Sequence, residues 1–194
     1  MRCMDDPLIL FRSWLEEARD SMGYDAEAMA LATARPDGAP SVRMVLLKGF
    51  DERGLLFFSN YSSRKGSELE RNPRAALLFH WQPLGRQVRI EGPVSKVDRA
   101  EGEAYARSRP RESQLSALAS PQSEVVPDRE WLERRVADLA REYKGRDLPV
   151  GEHWGGFRVE PEAWEFWQHD PRRLHDRERY TRTADGWRVE RLAP

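Results

Sequence analysis

The stretch AMALATARPDGAPSVRMVLLKGFDERGLLFFSN, residues 28 to 60, constrains the fold most. Its apolar runs break at two turn signals, Pro36-Asp37-Gly38 and Asp51-Glu52-Arg53-Gly54, as strands joined by tight turns do. The pattern predicts a meander of three antiparallel strands. AALLFHW and RQVRIEGPVSKVD resume strand character, and the tail predicts three closing strands: WGGFRVEPEAWEFWQ, RRLHDRERYTRT and GWRVERLAP, the last two turning at Ala184-Asp185-Gly186. Helical spacing is confined to four places. Leu8, Phe11, Trp14, Leu15 and Ala18 share one face of a first helix begun by Asp6-Pro7. SSRKGSELERNP predicts a short helix capped by Ser62 or Ser63, and residues 98 to 118 a helix broken at Arg109-Pro110. REWLERRVADLAREYKG, with Trp131, Leu132, Val136 and Leu139 on one stripe, predicts a helix that packs on the sheet together with the one before it. Many short strands with a few helices argue for an α+β fold, a small antiparallel barrel or sandwich with helical additions, and against alternating strand-helix units.

At 194 residues the chain suits a single domain, 1–194, with 1–5 a disordered N-terminus. Charged residues make up 34%, yet 32 basic against 33 acidic residues leave a net charge of -1. No global field draws such a chain to nucleic acid or anionic membrane, so any basic site must be local. Cys3 is the single cysteine, which excludes an intrachain disulfide and fits a reducing cytoplasm. No apolar run approaches the roughly 20 residues of a membrane helix, and no signal segment opens the chain. The four histidines lack metal-ligand spacing, so no metal is expected. Gly151, Gly155 and Gly156 do not have phosphate-loop spacing.

Four basic constellations invite a ligand. Arg64 and Lys65 stand in the first turn of the Ser62-Ser63 helix, where backbone N–H groups already favour an anion; a solvated pair with Glu68 nearby is the alternative. Arg43 and Lys48 bracket MVLL on one strand, where a charged group beside the core needs a partner, more often an acid than a ligand. Tyr105, Arg109 and Ser113 fall at i, i+4 and i+8, three donors suited to a phosphate if Pro110 does not divert them. In PRRLHDRERY, residues 171 to 180, strand alternation would put Arg173, His175 and Arg177 on one face without a matching acid; an edge strand guarded by charge is the alternative.

RMVLLKGFD, SSRKGSELERNP, RQVRIEG, SRPRESQ, WGGFRV and FWQ with RRLHDR, in that order along the chain, together resemble the pyridoxamine 5'-phosphate oxidases. The resemblance implies a split β-barrel homodimer with FMN in clefts at the subunit interface. Matched by position, the flavin ligands would be Arg43, Met44, Val45, Leu46, Leu47, Lys48, Phe58, Ser59, Arg64, Lys65, Gln87, Gln122, Ser123, Trp167 and Arg177. Lys48, Tyr105, Arg109 and Ser113 would meet the substrate phosphate, with Arg173 and His175 over the pyridine ring as the catalytic pair. The implied reaction oxidises pyridoxamine or pyridoxine 5'-phosphate to pyridoxal 5'-phosphate, with O2 as acceptor and H2O2 as product. Three departures stand out. Phe58-Ser59 replaces a common Tyr-Thr, and His169-Asp170-Pro171 replaces a looser loop. The chain also begins almost at the first helix, without the N-terminal arm by which longer members cover the substrate. A related flavin oxidase of the phenazine type, and a non-catalytic flavin or pyridoxal-phosphate module, are the rival readings.

Overall fold

The computed structural model describes residues 6–194; the N-terminal five residues, Cys3 among them, lie outside the described residues. Helix α1, Pro7–Met22, starts at Asp6-Pro7 as expected, with Asp6 as its cap accepting the Leu8 N–H at 2.9 Å. Its apolar stripe buries Phe11, Leu15 and Ala18 fully. Phe11 packs edge-on against Phe50 at 5.1 Å and meets Phe79 and Trp164 at 5.2 and 5.3 Å. The helix thus plugs an aromatic core, and losing one such ring costs about 3–5 kcal/mol.

The sheet comprises β1 (Ala28–Ala34), β2 (Pro40–Leu46), β3 (Gly49–Asp51), β4 (Gly54–Asn60), β5 (Arg74–Trp81), β6 (Arg86–Lys96), β7 (Trp154–Val159), β8 (Ala163–Gln168), β9 (Asp176–Thr183) and β10 (Gly186–Arg191). All pairings are antiparallel, in the order β10-β9-β8-β6-β5-β1-β2. The long β6 curls the sheet on itself: residues 86–91 pair with β8, whereas residues 94–96 pair with β7, which continues to β4 and β3. At the switch, the carbonyl of Glu160 approaches Gly92 so closely that a side chain there would overlap it.

Two strand expectations are corrected. Residues 28–60 do not form one three-stranded meander. The chain leaves β2 at Leu47, whose N–H bonds to the Glu27 carbonyl, and β3 and β4 form a separate hairpin on β7. The tail has four strands, because Pro161 cannot donate to a ladder and divides WGGFRVEPEAWEFWQ into β7 and β8.

Helix α2, Arg64–Arg71, takes Ser63 as its cap. Helices α3 (Arg99–Ser108) and α4 (Arg111–Ala119) are separated by Arg109-Pro110 as expected, and α3 packs on β7. Helix α5, Arg129–Glu142, does not lie on the sheet: its stripe packs against α4 and buries no residue fully. No helix among the described residues is long and apolar enough to cross a membrane.

Candidate functional site

Where β2, the end of β4, the first turn of α2 and the α3–α4 pair converge, they enclose a cavity of about 980 Å³. That is the upper end of the size range of small-molecule sites. Arg43, Met44, Val45, Leu46, Lys48, Phe58, Ser59, Lys65, Tyr105, Arg109, Ser113 and Gln122, twelve of the residues singled out in the sequence, line it.

One end of the cavity is built on α2. The Lys65 ammonium is buried and donates to Ser59 Oγ at 2.9 Å, Ser63 Oγ at 3.3 Å and Gln122 Oε1 at 2.9 Å. All three acceptors are neutral, so its hydrogen bonds are met and its charge is not. Burial, followed by the nearby Arg43 cation, lowers its pKa to about 8. One turn on, Glu68 is equally buried but saturated: it accepts from Thr33, from Ser41 at 2.6 Å, from Arg43 at 3.2 Å and from Arg64 at 2.9 Å. Burial opposes its ionisation, yet these donors outweigh burial and lower its pKa to about 2. Arg43 therefore has the acidic partner that the sequence left open. Arg64 also takes the alternative reading: it forms an i,i+4 pair with Glu68 and borders a separate hollow. Only its Nε is used, and both terminal amino groups lack a partner among the described residues. Arg43 and Arg64 share the one carboxylate of Glu68 while Lys65 has none, so three cations against one acid leave two positive charges at this end.

At the other end stand Lys48, Tyr105, Arg109 and Ser113. Pro110 breaks the helix that carried their i, i+4, i+8 spacing, yet all four face the cavity. The Arg109 guanidinium lies 5.1 Å from the Trp154 ring centroid, and no acid pairs with it among the described residues. The Tyr105 and Ser113 hydroxyls likewise have no hydrogen-bond partner among them. Burial raises the Tyr105 pKa in spite of the Lys48 and Arg109 cations, so its phenol stays a donor. Phe58 stacks on Tyr105 at 3.8 Å and 17°, and on Trp154 at 5.5 Å and 11°. Trp154 and Tyr24 line the cavity without having been singled out in the sequence. The glycine after Trp154 is a packing residue: a side chain at Gly155 would strike the Tyr61 ring.

The other sequence candidates lie elsewhere in this chain. The Leu47 side chain is in the core, and Ser123 occupies the turn after α4 at φ +75°. Gln87, Trp167 and Arg177 border a hollow of about 280 Å³ on β6, β8 and β9. The Arg173-His175-Arg177 strand face does not form, because β9 begins only at Asp176. The Asp170 carboxylate accepts the Arg172 N–H at 2.8 Å, and Arg173 N–H bonds to the Asp170 carbonyl at 3.0 Å. This turn holds Arg173 at φ +67°. The Asp170 N–H donates to His175 Nδ1 at 3.1 Å, and the imidazole lies 4.6 Å from the Trp167 ring. Nor does Arg177 lack an acid: Glu165 on β8 takes both its Nε and Nη2, at 2.9 and 2.7 Å. Arg172 pairs with Asp170 and Arg179 with Glu190, so both are accounted for within the chain.

Comparison with known proteins agrees with this geometry. The pyridoxamine 5'-phosphate oxidase family model matches residues 15–141, and the model of the pyridoxine 5'-phosphate oxidase C-terminal dimerisation region matches residues 154–194. A pyridoxine/pyridoxamine 5'-phosphate oxidase of Rubrobacter xylanophilus is 54% identical over 97% of this chain and 87% of its own. The chloroplastic enzyme 1 of Arabidopsis thaliana is 50% identical over 97% of this chain and 37% of its own. Among solved structures, PhzG from Burkholderia lata, in complex with tetrahydrophenazine-1-carboxylic acid, has a TM-score of 0.93 at 33% identity and covers 99% of this chain and 94% of that one. A pyridoxamine 5'-phosphate oxidase-related, FMN binding protein from Nostoc punctiforme, at 19% identity and a TM-score of 0.73, shares the fold. The curled sheet is the split barrel that the resemblance implied, and the chain belongs to the pyridoxamine 5'-phosphate oxidase family of oxidases.

Proposed function

We propose that the protein oxidises pyridoxine and pyridoxamine 5'-phosphate to pyridoxal 5'-phosphate with FMN as cofactor, as a homodimer. The observation that carries this is one cavity with two cationic ends, each with fewer acids than cations: among the described residues Lys65 and Arg109 pair with no acid, and Lys48 meets only Glu27, which Arg19 shares. A phosphate monoester brings about -1.5 to -2 charges, which matches the two unbalanced positive charges around Lys65. Tyr105, Arg109 and Ser113 offer a second phosphate side-chain donors that have no acceptor among the described residues, and Lys48, which donates to Tyr24 at 2.9 Å and lies 3.5 Å from Glu27, stands beside them. FMN fits the first end, and a phosphorylated vitamer the second.

In this reading Lys65 and Arg64 hold the FMN phosphate, Arg64 through its unused terminal nitrogens, while Ser59, Gln122 and Ser123 complete the cradle. Met44, Val45, Leu46 and the backbone of Leu47 wall the ring system, with Arg43 fixed behind them by Glu68. Gln87, Trp167 and Arg177 line a separate hollow and not this cavity of one chain; a partner subunit would bring its copy, with Arg173 and His175. This agrees with the match of residues 154–194 to a dimerisation region. When bound, FMN supplies the two-electron acceptor, with O2 taking the electrons on as H2O2. The protein's part is positioning and polarisation. Lys48 and Arg109 anchor the phosphate, Arg173 orients the ring, and His175, whose Nδ1 is occupied by the Asp170 N–H, presents Nε2.

Oxygen uptake with pyridoxine 5'-phosphate tests the reading. A yellow protein that consumes oxygen is expected; a colourless one that binds no added FMN contradicts it. A yellow protein inert toward both phosphorylated vitamers moves the assignment to the phenazine-type or non-catalytic reading. Arg173→Ala should lower turnover far more than flavin content, whereas Arg64→Ala should do the reverse.

A further inference from the structure

The connection between α1 and β1 carries a polar group that neither the sequence constellations nor the family match assigns. A 3-10 turn, Gly23–Glu27, opens on Gly23 at φ +59° and sets Tyr24 at the mouth of the cavity. Tyr24 is 61% exposed, yet it is not idle: Lys48 Nζ donates to its hydroxyl at 2.9 Å and lies 4.7 Å from its ring centroid. A hydroxyl that accepts from an ammonium keeps its own proton to give. That O–H has no acceptor among the described residues. Glu27, from the same turn, stands 3.5 Å from Lys48 Nζ, with its other oxygen 2.9 Å from Arg19 Nη2. The turn is tied to the strand it serves by the Leu47 N–H to Glu27 carbonyl bond of 2.9 Å. Burial works against the Lys48 cation, but the Tyr24 phenol, Tyr105 and Glu27 outweigh it and raise its pKa, so the lysine enters binding charged.

We infer that Tyr24 is a further phosphate-binding residue, donating its hydroxyl proton to the phosphate held by Lys48, and that Glu27 is the counter-charge which that phosphate displaces from the lysine. This rests on the proposed function for the identity of the ligand, and extends it to a residue pair outside the four donors named above. Two opposite effects follow. Without the hydroxyl, phosphate affinity falls while the ring remains to support the Lys48 ammonium. Without the Glu27 charge, the lysine loses a competitor for phosphate and affinity rises.

The test is calorimetric titration of the flavin-loaded protein with pyridoxal 5'-phosphate and, separately, with pyridoxal. Tyr24→Phe should weaken binding of the phosphate ester about tenfold, as for a hydrogen bond to a charged group, and leave pyridoxal unchanged. Glu27→Gln should tighten the ester about threefold, as for one partly exposed charge pair. An unchanged ester affinity in Tyr24→Phe, an equal loss for ester and pyridoxal, or a change of the same sign in both variants would each overturn the inference. Tight ester binding without turnover would sink the proposed function and leave this inference standing. Wild-type protein that does not prefer the ester over pyridoxal would overturn both.

Discussion

Lys65 and Glu68 stand one turn apart on the same short helix, both buried, and their surroundings are opposites. Glu68 points at β1 and β2 and collects two hydroxyls and two guanidinium groups. Lys65 points into the cavity and meets only neutral oxygens. The first is a finished ion cluster, whose carboxylate is held ionised down to about pH 2. The second is a cation whose burial is not repaid, and its pKa falls to about 8. A buried charge that the chain completes itself holds the fold together; one that it leaves incomplete marks where a ligand of opposite charge belongs.

Substitutions at the two positions should therefore act with opposite sign. Glu68→Ala strands the Arg43 guanidinium and two hydroxyls, and should destabilise the protein by about 3–5 kcal/mol, read as a lower denaturant midpoint. Lys65→Met removes an uncompensated charge and should stabilise the flavin-free protein by about 1–2 kcal/mol, within the range for apolar replacement of buried ions, while flavin retention collapses. A Lys65→Met protein that is less stable without flavin would show that the ammonium is structural after all.

The pH dependence separates the same two groups. Glu68 has a folded pKa below its ordinary 4.5, so its stabilisation is complete above that value and is lost as pH falls toward about 2. Lys65 has a folded pKa of about 8 against an ordinary 10.5, so the unfolded chain binds the extra proton between those values. The flavin-free protein should thus gain stability relative to Lys65→Met as pH rises from about 8 to 10.5, and FMN affinity should weaken over the lower part of that window. Thermal unfolding across pH for both proteins measures the first, and flavin fluorescence titration the second. Arg64→Ala comes last: its side chain is mostly exposed, so its stability cost should stay below about 1 kcal/mol, and any larger loss would place it in the Glu68 cluster proper.

What the sequence made legible was local. Asp6 and Ser63 cap helices because a short oxygen-bearing side chain before an apolar stripe has few other uses. The break at Arg109-Pro110 follows from the proline alone. Alternation misled where a turn overrode it: the Asp170 carboxylate bends the chain through Arg172 and Arg173, so β9 starts too late to carry His175. The partners were least legible. Gln122 reaches Lys65 from 57 residues away, and Glu165 meets Arg177 only because β8 and β9 pair in one register. Motif order could name Lys65 and Arg177 as ligand residues, but only the sheet closing on itself shows that the first lacks an acid and the second has one.

The most direct test of an ammonium awaiting a phosphate is to titrate FMN and phosphate-free riboflavin into wild-type and Lys65→Met protein. The loss of a buried charge partner, worth about 3 kcal/mol or more, should weaken FMN on the order of a hundredfold and leave riboflavin nearly unchanged. Equal FMN affinities in the two proteins, or an equal loss for both flavins, would contradict it.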